Sequence, residues 1–295
     1  MNVLDAIGNT ALVPLKSGIL VKLEMQNPTG SMKDRMAQAV LARPESDGRL
    51  KPGDTIVEYT GGTTGASLAL VCAVKGYRLR IVTSDAFSRE KRDQMTAFGA
   101  ELTIVPSDRG NATKELFLEM IATARKYSAE PNTYWTNQLE NRDSIAGYYP
   151  LGEEIWRQTN GEVDAFVQSV GTSASLQGVA TVLKRYKPSV RIIAVEPAES
   201  PVLSGGQPGP HQIEGIGIGY IPPMWDPSII DEVIPIATND AKERARRLAR
   251  EEGIFAGTSS GGNVLAAERL GPKTKVVTLM VDSGLKYVNT DVYRR

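Results

Sequence analysis

Short β-branched runs alternate with longer helix-like stretches along most of the chain, and this alternation limits the possible folds more than any other feature. A strand, a crossing helix and a further strand build a mainly parallel sheet, with the helices covering its faces. Residues 54–59 read as a strand, 65–75 as a helix and 79–83 as the next strand. Ser88 is placed to cap a helix through Phe98, since Lys91, Met95 and Phe98 fall at helical spacing and Gly99 follows as a stop. A strand over 102–105 and a helix over 113–127 come next. The alternation restarts near residue 150, with helices over 152–158 and 176–186 and extended runs over 165–170 and 192–195. Residues 205–223, rich in Gly and Pro, read as a long loop, followed by a charged helix over 240–252 and a buried strand over 276–281. At 295 residues, against roughly 100–200 per domain, the chain is expected to form two α/β domains, with one large domain as the alternative.

Charge and residue counts remove several function classes. Lys+Arg and Asp+Glu both number 34, so no net field draws the chain to polyanions or anionic lipid, and neither nucleic acid nor membrane is expected as a partner. No run of about 18 uncharged apolar residues exists, and Met1-Asn2-Val3-Leu4-Asp5 lacks a basic region followed by an apolar stretch. A cytoplasmic location is therefore expected. The single cysteine, Cys72, lies in an apolar run and reads as a buried thiol, which leaves no disulfide framework or Cys-rich metal site. His211 is the only histidine, so an HExxH zinc site is excluded and no metal is expected. Among Gly205, Gly206, Gly209 and Pro210, it reads as a loop residue without a catalytic part. The sequon Asn111-Ala112-Thr113 reads as a chance match.

Three glycine-containing turns fall between a predicted strand and a predicted helix, where unpaired backbone N–H groups collect and can receive an anion. They are Thr60-Gly61-Gly62-Thr63-Thr64-Gly65, Gly171-Thr172-Ser173-Ala174-Ser175 and Gly257-Thr258-Ser259-Ser260-Gly261-Gly262. None matches GxxxxGK[ST]. Gly215-Ile216-Gly217-Ile218-Gly219 runs on into a Pro-rich loop instead of opening a helix, so nucleotide binding is unsupported.

A fourth segment, Asn27-Pro28-Thr29-Gly30-Ser31-Met32-Lys33-Asp34-Arg35, is a turn with a lysine at the start of a helix. It resembles the NPTGS-x-KDR motif of the cysteine synthase and cystathionine β-synthase family, whose lysine holds pyridoxal 5'-phosphate as a Schiff base. The resemblance runs in order along nearly the whole chain. It continues through Ile7-Gly8-Asn9-Thr10, Gly53-Asp54-Thr55-Ile56-Val57-Glu58, Val195-Glu196-Pro197 and Asp282-Ser283-Gly284-Leu285-Lys286-Tyr287.

That resemblance implies an α/β fold of two three-layer αβα domains, of the tryptophan synthase β-like or fold type II kind. The smaller domain would span 36–145 and the larger 1–35 with 146–295, with the cofactor in the cleft between them. It implies that Lys33 is the catalytic, cofactor-bearing lysine, that Gly171, Thr172, Ser173, Ala174 and Ser175 cup the cofactor phosphate, and that Ser259 faces the pyridine nitrogen. Thr63 stands near the ring hydroxyl, while Thr60, Gly61, Gly62, Thr64, Gln138 and Gly215 form the substrate-binding set. The implied reaction is β-replacement on an O-activated L-serine through an aminoacrylate, with sulfide or another small nucleophile. The protein is expected to be a homodimer whose other partners are its small-molecule substrates. Lys33 would take the Cα proton, and a neutral hydroxyl at the pyridine nitrogen favours loss of the β-substituent over transamination.

The chain departs from the family at several positions. The usual TSGNTG turn has Gly61 in place of serine and Thr63 in place of asparagine, and GTGGT has become GTSAS. Leu139 replaces a common aromatic, and Gly147 stands about where cysteine synthases often carry histidine, both near the expected acyl-substrate pocket. Arg89 and Lys91 are candidates to bind an anionic substrate, with helix-surface charges as the better reading. β-Elimination, synthesis of an unusual amino acid and a non-catalytic regulatory homologue are the alternative functions.

Overall fold

The computed structural model describes residues 1–110 and 113–294, so Asn111 and Ala112 of the sequon lie outside the described residues. In chain order the strands are β1 (Leu12–Pro14), β2 (Leu20–Lys22), β3 (Thr55–Tyr59), β4 (Arg78–Ser84), β5 (Glu101–Val105), β6 (Thr133–Trp135), β7 (Ala165–Ser169), β8 (Arg191–Pro197), β9 (Glu232–Ile236) and β10 (Val276–Leu279). The helices are α1 (Lys33–Ser46), α2 (Thr63–Lys75), α3 (Arg89–Ala97), α4 (Lys114–Ser128), α5 (Asp143–Ala146), α6 (Tyr149–Gln158), α7 (Ala174–Tyr186), α8 (Thr238–Glu252) and α9 (Thr258–Glu268). The chain divides into a first unit of Met1–Ile7 with Lys33–Gly147 and a second of Gly8–Met32 with Tyr148–Arg295.

The first unit is built on a four-stranded, wholly parallel sheet of order β5-β4-β3-β6. All five residues of β3 are buried, as expected for a central strand covered on both faces. Val57, Tyr59, Val82, Leu116 and Met120 form its apolar cluster. The expected boundaries place 1–35 and 146–295 with the larger domain, whereas Met1–Ile7, Lys33–Arg35 and residues 146–147 fall in this unit. The 3-10 turn Val3–Ala6 packs on α2, with Leu4 buried, and its first turn is closed by a capping box between Asn2 and Asp5. Cys72 is buried on α2, where desolvation pushes its thiol up to about 12.

The second unit carries a six-stranded sheet of order β1-β2-β10-β7-β8-β9, antiparallel only between β1 and β2. β7 and β10 are buried along their whole lengths. A buried ion pair joins β2 to α6, with Lys22 Nζ 2.6 Å from Glu154 Oε2. The same ammonium donates to the Thr10 carbonyl at 2.5 Å, which helps offset the cost of taking both charges out of water. Among the described residues, no helix is long and apolar enough to cross a membrane.

Some local expectations change. Ser88 stands at the N-cap position of α3, but its hydroxyl is buried, has no hydrogen-bond partner among the described residues and makes no capping bond. Lys91 is buried, unlike a solvated helix charge, while Arg89 is exposed and lies 3.4 Å from Asp93. β1, β2 and β6 have three residues each, too few to show a period. β9 contains Pro235, which is tolerated because this strand is at the sheet edge.

The contact of α8 with α9 depends on a glycine. A Cβ at Gly261 would lie 2.1 Å from the Ala241 carbonyl oxygen and 2.8 Å from the Ala245 nitrogen, whereas one at Gly262 meets only side chains at 3.8 Å. Gly261→Ala is therefore expected to destabilise the protein by about 1–3 kcal/mol through overpacking. Gly262→Ala should be neutral or stabilising, because alanine is the better helix former. Urea denaturation midpoints of the two variants test the contrast.

Candidate active site

In the second unit, the segment leading to Lys33 is held against the chain that follows β10. Gly30 adopts a left-handed conformation (φ 76°), which suits glycine, and its N–H donates to the Asn27 carbonyl at 2.7 Å. Ser31 forms an antiparallel bridge with Asp282, the Met32 N–H donates to the Val281 carbonyl at 3.0 Å, and the Ser283 N–H donates to the Gly30 carbonyl at 2.9 Å. Lys33, half-buried, is the next residue and the first of α1.

The 171–175 turn joins β7 to α7. A Cβ on Gly171 would lie 2.4 Å from the Gly215 carbonyl oxygen, so the close approach of these two loops requires glycine. Ser173 adopts a left-handed conformation (φ 74°) at the N-cap of α7 and makes no side-chain capping bond. The first N–H groups of the helix are thus left to another acceptor. Ser173 and Ser175 are buried. Gln168, near the end of β7, donates through Nε2 to the Ser175 hydroxyl, while its Oε1 is buried with no hydrogen-bond partner among the described residues. A turn with main-chain donors and hydroxyls at a helix N-terminus whose cap side chain makes no bond fits the phosphate of pyridoxal phosphate.

Ser259 lies in the first turn of α9 and is buried. One turn later on the same face, Asn263 accepts from the Ser169 N–H at 2.7 Å and donates to the Leu279 carbonyl at 3.0 Å. This asparagine turns the Ser259 face of α9 toward the carboxyl ends of β7 and β10, and the sequence reading missed it. Gly215 and Gly217 are both left-handed, with φ of 85° and 61°. His211 has a structural part here: its Nε2 lies 2.7 Å from the Gly217 carbonyl oxygen, and its Nδ1 accepts from the Ile213 N–H at 3.3 Å. That pattern assigns the proton to Nε2 and fixes the loop.

In the first unit, the 60–64 turn joins β3 to α2. Thr60 is buried, and its hydroxyl accepts from the Gly62 N–H at 3.0 Å. A Cβ at Gly61 would lie 3.0–3.3 Å from the Phe87 ring, so a side chain there requires the ring to shift by a few tenths of an ångström. Gly62 (φ 142°) is the N-cap of α2, and the Lys91 stem lies across it, with Cδ 2.4 Å from where a Cβ would stand. Thr63 is the first residue of α2. The Thr64 hydroxyl donates to Gln138 Oε1 at 2.8 Å, so the turn and Gln138 are brought together. Leu139 packs on the apolar cluster of this unit. A Cβ at Gly147 would meet Ala39 Cβ at 2.8 Å and the Arg35 carbonyl oxygen at 3.0 Å, so this glycine serves the packing of α5 on α1.

Beneath Gln138 lies Glu58, for which the sequence suggested no role. It is fully buried, and its carboxyl group accepts from the Thr136 hydroxyl at 2.6 Å, the Gln138 N–H at 2.9 Å and the Tyr59 N–H at 2.9 Å. Burial pushes its pKa up from 4.5 to about 7, against the lowering effect of these bonds. Since the folded value is the raised one, the folded state holds this proton more tightly than the unfolded chain. The resulting stability is present in full below about 4.5 and is lost as pH rises through about 7. The loss should approach about 3 kcal/mol. Glu58→Gln should remove this part of the pH dependence, measurable as unfolding free energy between pH 5 and 8 against wild type.

The geometry agrees with comparisons to known proteins. Residues 3–282 match the family model described as pyridoxal-phosphate dependent enzyme. The chain is 40% identical to a cysteine synthase of Staphylococcus aureus (strain Mu50 / ATCC 700699), over 99% of this chain and 96% of that protein. Its fold matches the crystal structure of cysteine synthase from Entamoeba histolytica with a TM-score of 0.92 and 40% identity, covering 99% of this chain and 90% of that one. It also matches a hydrogen sulfide-producing enzyme from Fusobacterium nucleatum, with a TM-score of 0.89 and 37% identity over 97% of both chains. With a lysine opening α1, a turn of main-chain donors at the head of α7 and similarity along its whole length, the chain belongs to the pyridoxal-phosphate dependent enzymes, in the fold type II α/β class.

Proposed function

We propose that this protein catalyses β-replacement on an O-activated L-serine, with sulfide or another small nucleophile as the second substrate. The full-length similarity to cysteine synthases carries the reading, and the position of Lys33 at the opening of α1 supports it. Gly171, Thr172, Ser173, Ala174 and Ser175 would hold the cofactor phosphate, Ser259 the pyridine nitrogen and Thr63 the ring hydroxyl. Thr60, Gly61, Gly62, Thr64, Gln138 and Gly215 would hold the substrate, with its carboxylate taken by the 60–64 turn and Gln138. The cofactor, when bound, supplies an electron sink that weakens the Cα–H bond of an attached amino acid.

The chain's own groups then move and hold the protons. Lys33 Nζ takes the Cα proton as the β-substituent departs and returns it after the nucleophile has added at Cβ. Donors at the head of α2 neutralise the substrate carboxylate and fix the Cα–H bond toward Lys33. The Ser259 hydroxyl offers the pyridine nitrogen a neutral partner, which does not hold a full positive charge there as a carboxylate would. A homodimer working in the cytoplasm, with the first unit carrying the carboxylate loop and the second the phosphate cup, completes the proposal. β-Elimination is the second reading, because a hydrogen sulfide-producing enzyme is 37% identical to the chain.

A visible absorption spectrum of the purified protein, followed by borohydride reduction and peptide mapping, tests the cofactor link. The expected result is a yellow protein with one trapped adduct, on Lys33. Lys33→Ala should lose that adduct and at least about 10²–10⁴-fold in turnover. Offered O-acetyl-L-serine with and without sulfide, the wild type should form cysteine with it. Pyruvate at the same rate in both conditions would favour elimination, and a colourless protein without an adduct would overturn the proposal.

A further inference from the structure

The register of β3 with β6 ends at Val57 and Trp135, followed by one last ladder-type bond from the Thr136 N–H to the Val57 carbonyl at 3.1 Å. Beyond it, the Glu58 side chain takes the place of the backbone ladder. It accepts from the Gln138 N–H on Oε2 and from the Tyr59 N–H on Oε1. Gln138 in turn donates through Nε2 to the Tyr59 carbonyl at 2.8 Å and accepts from the Thr64 hydroxyl. An amide NH2 has two donors, so one remains to be directed at a ligand.

We propose that Glu58 is the positioning residue for substrate recognition, holding Gln138 and the 60–64 turn together as one carboxylate-binding unit. The inference rests on the assignment of that turn and Gln138 to the substrate carboxylate. The residue type is informative, because the groups facing Glu58 are donors: two backbone N–H groups, the Thr136 hydroxyl and, at 3.5 Å, the Trp135 indole N–H. A glutamine has only one acceptor oxygen, so its NH2 would face the Tyr59 or the Gln138 N–H and leave that buried donor unpaired. Thr136 Oγ1 also lies 3.3 Å from the Val57 carbonyl oxygen, so its hydroxyl can donate there and accept a hydrogen bond from the O–H of a neutral Glu58. The same atoms therefore serve both forms of the carboxyl group.

The test compares O-acetyl-L-serine with its α-carboxamide in the cofactor-loaded enzyme. Glu58→Gln should raise KM for the carboxylate substrate about tenfold with little change in kcat, and leave KM for the carboxamide where it was. Thr136→Ser, which keeps the hydroxyl, should keep the wild-type KM, and Thr136→Val should raise it by a smaller factor than Glu58→Gln. An equal rise for both substrates, or no rise in a folded Glu58→Gln protein, overturns the proposal. If Glu58→Gln does not fold, the Thr136 pair decides: equal KM values in the serine and valine variants overturn it. Should the wild type turn over no O-activated serine, β-replacement fails, and tryptophan fluorescence titration with O-acetyl-L-serine tests Glu58 alone. Wild-type binding weakened in Glu58→Gln supports the inference, and equal or absent binding in both proteins overturns it.

Discussion

Much of the candidate site in the second unit depends on the three residues that follow β10 and the final methionine. The Val281 carbonyl accepts the Met32 N–H, and the Val281 N–H donates to the Ser260 hydroxyl at 2.9 Å. The Asp282 carbonyl accepts the Gly257 N–H at 3.1 Å, and the Ser283 N–H reaches the Gly30 carbonyl. One short stretch of backbone thus fixes both the turn that delivers Lys33 and the turn that opens the Ser259 helix. Each bond is worth only about 1 kcal/mol net, but together they set the backbone at the heads of α1 and α9 against the same buried sheet strand. A side chain whose orientation matters is best mounted on backbone that has nowhere else to go.

The two units hold their turns by different means. In the second, backbones approach too closely for side chains, as Gly171 does with the Gly215 carbonyl and Gly261 with α8. Glycine there permits the contact, and the penalty for any other residue is steric. In the first, the Thr64 hydroxyl joins the 60–64 turn to Gln138, and a buried carboxyl group accepts from the main-chain N–H groups of Gln138 and of Tyr59, next to that turn. The penalty for change is then polar, since four donors face one group in a dry interior. Gly61 and Gly62 add a steric element, pressed by Phe87 and by the stem of Lys91. The loss of the family's serine at position 61 therefore goes with a ring that occupies the space beside it.

Regular elements with several residues of consistent pattern were legible in the sequence. The expected strands over 54–59, 79–83, 102–105 and 165–170 correspond to β3, β4, β5 and β7, and the helices over 113–127, 176–186 and 240–252 to α4, α7 and α8. Elements that could not be read had a physical reason: β1, β2 and β6 are too short to show a period, and β9 is interrupted by a proline its edge position tolerates. The same holds at the site. Lys33 and the glycine turns carry a local signature, whereas Glu58 and Asn263 do not, because their partners lie 80 and 94 positions away in the chain.

The sequence by itself determined the α/β class, the place of the lysine at a helix start and the turns able to hold an anion, because each follows from residues close together along the chain. Only the tertiary structure decided that Lys91 is buried over Gly62, that Gly147 is a packing residue against α1, that His211 pins the Gly217 loop and that Glu58 holds Gln138. Burial and hydrogen-bond partnership are properties of neighbours in space, and a parallel sheet brings those neighbours from distant positions by way of its crossover helices.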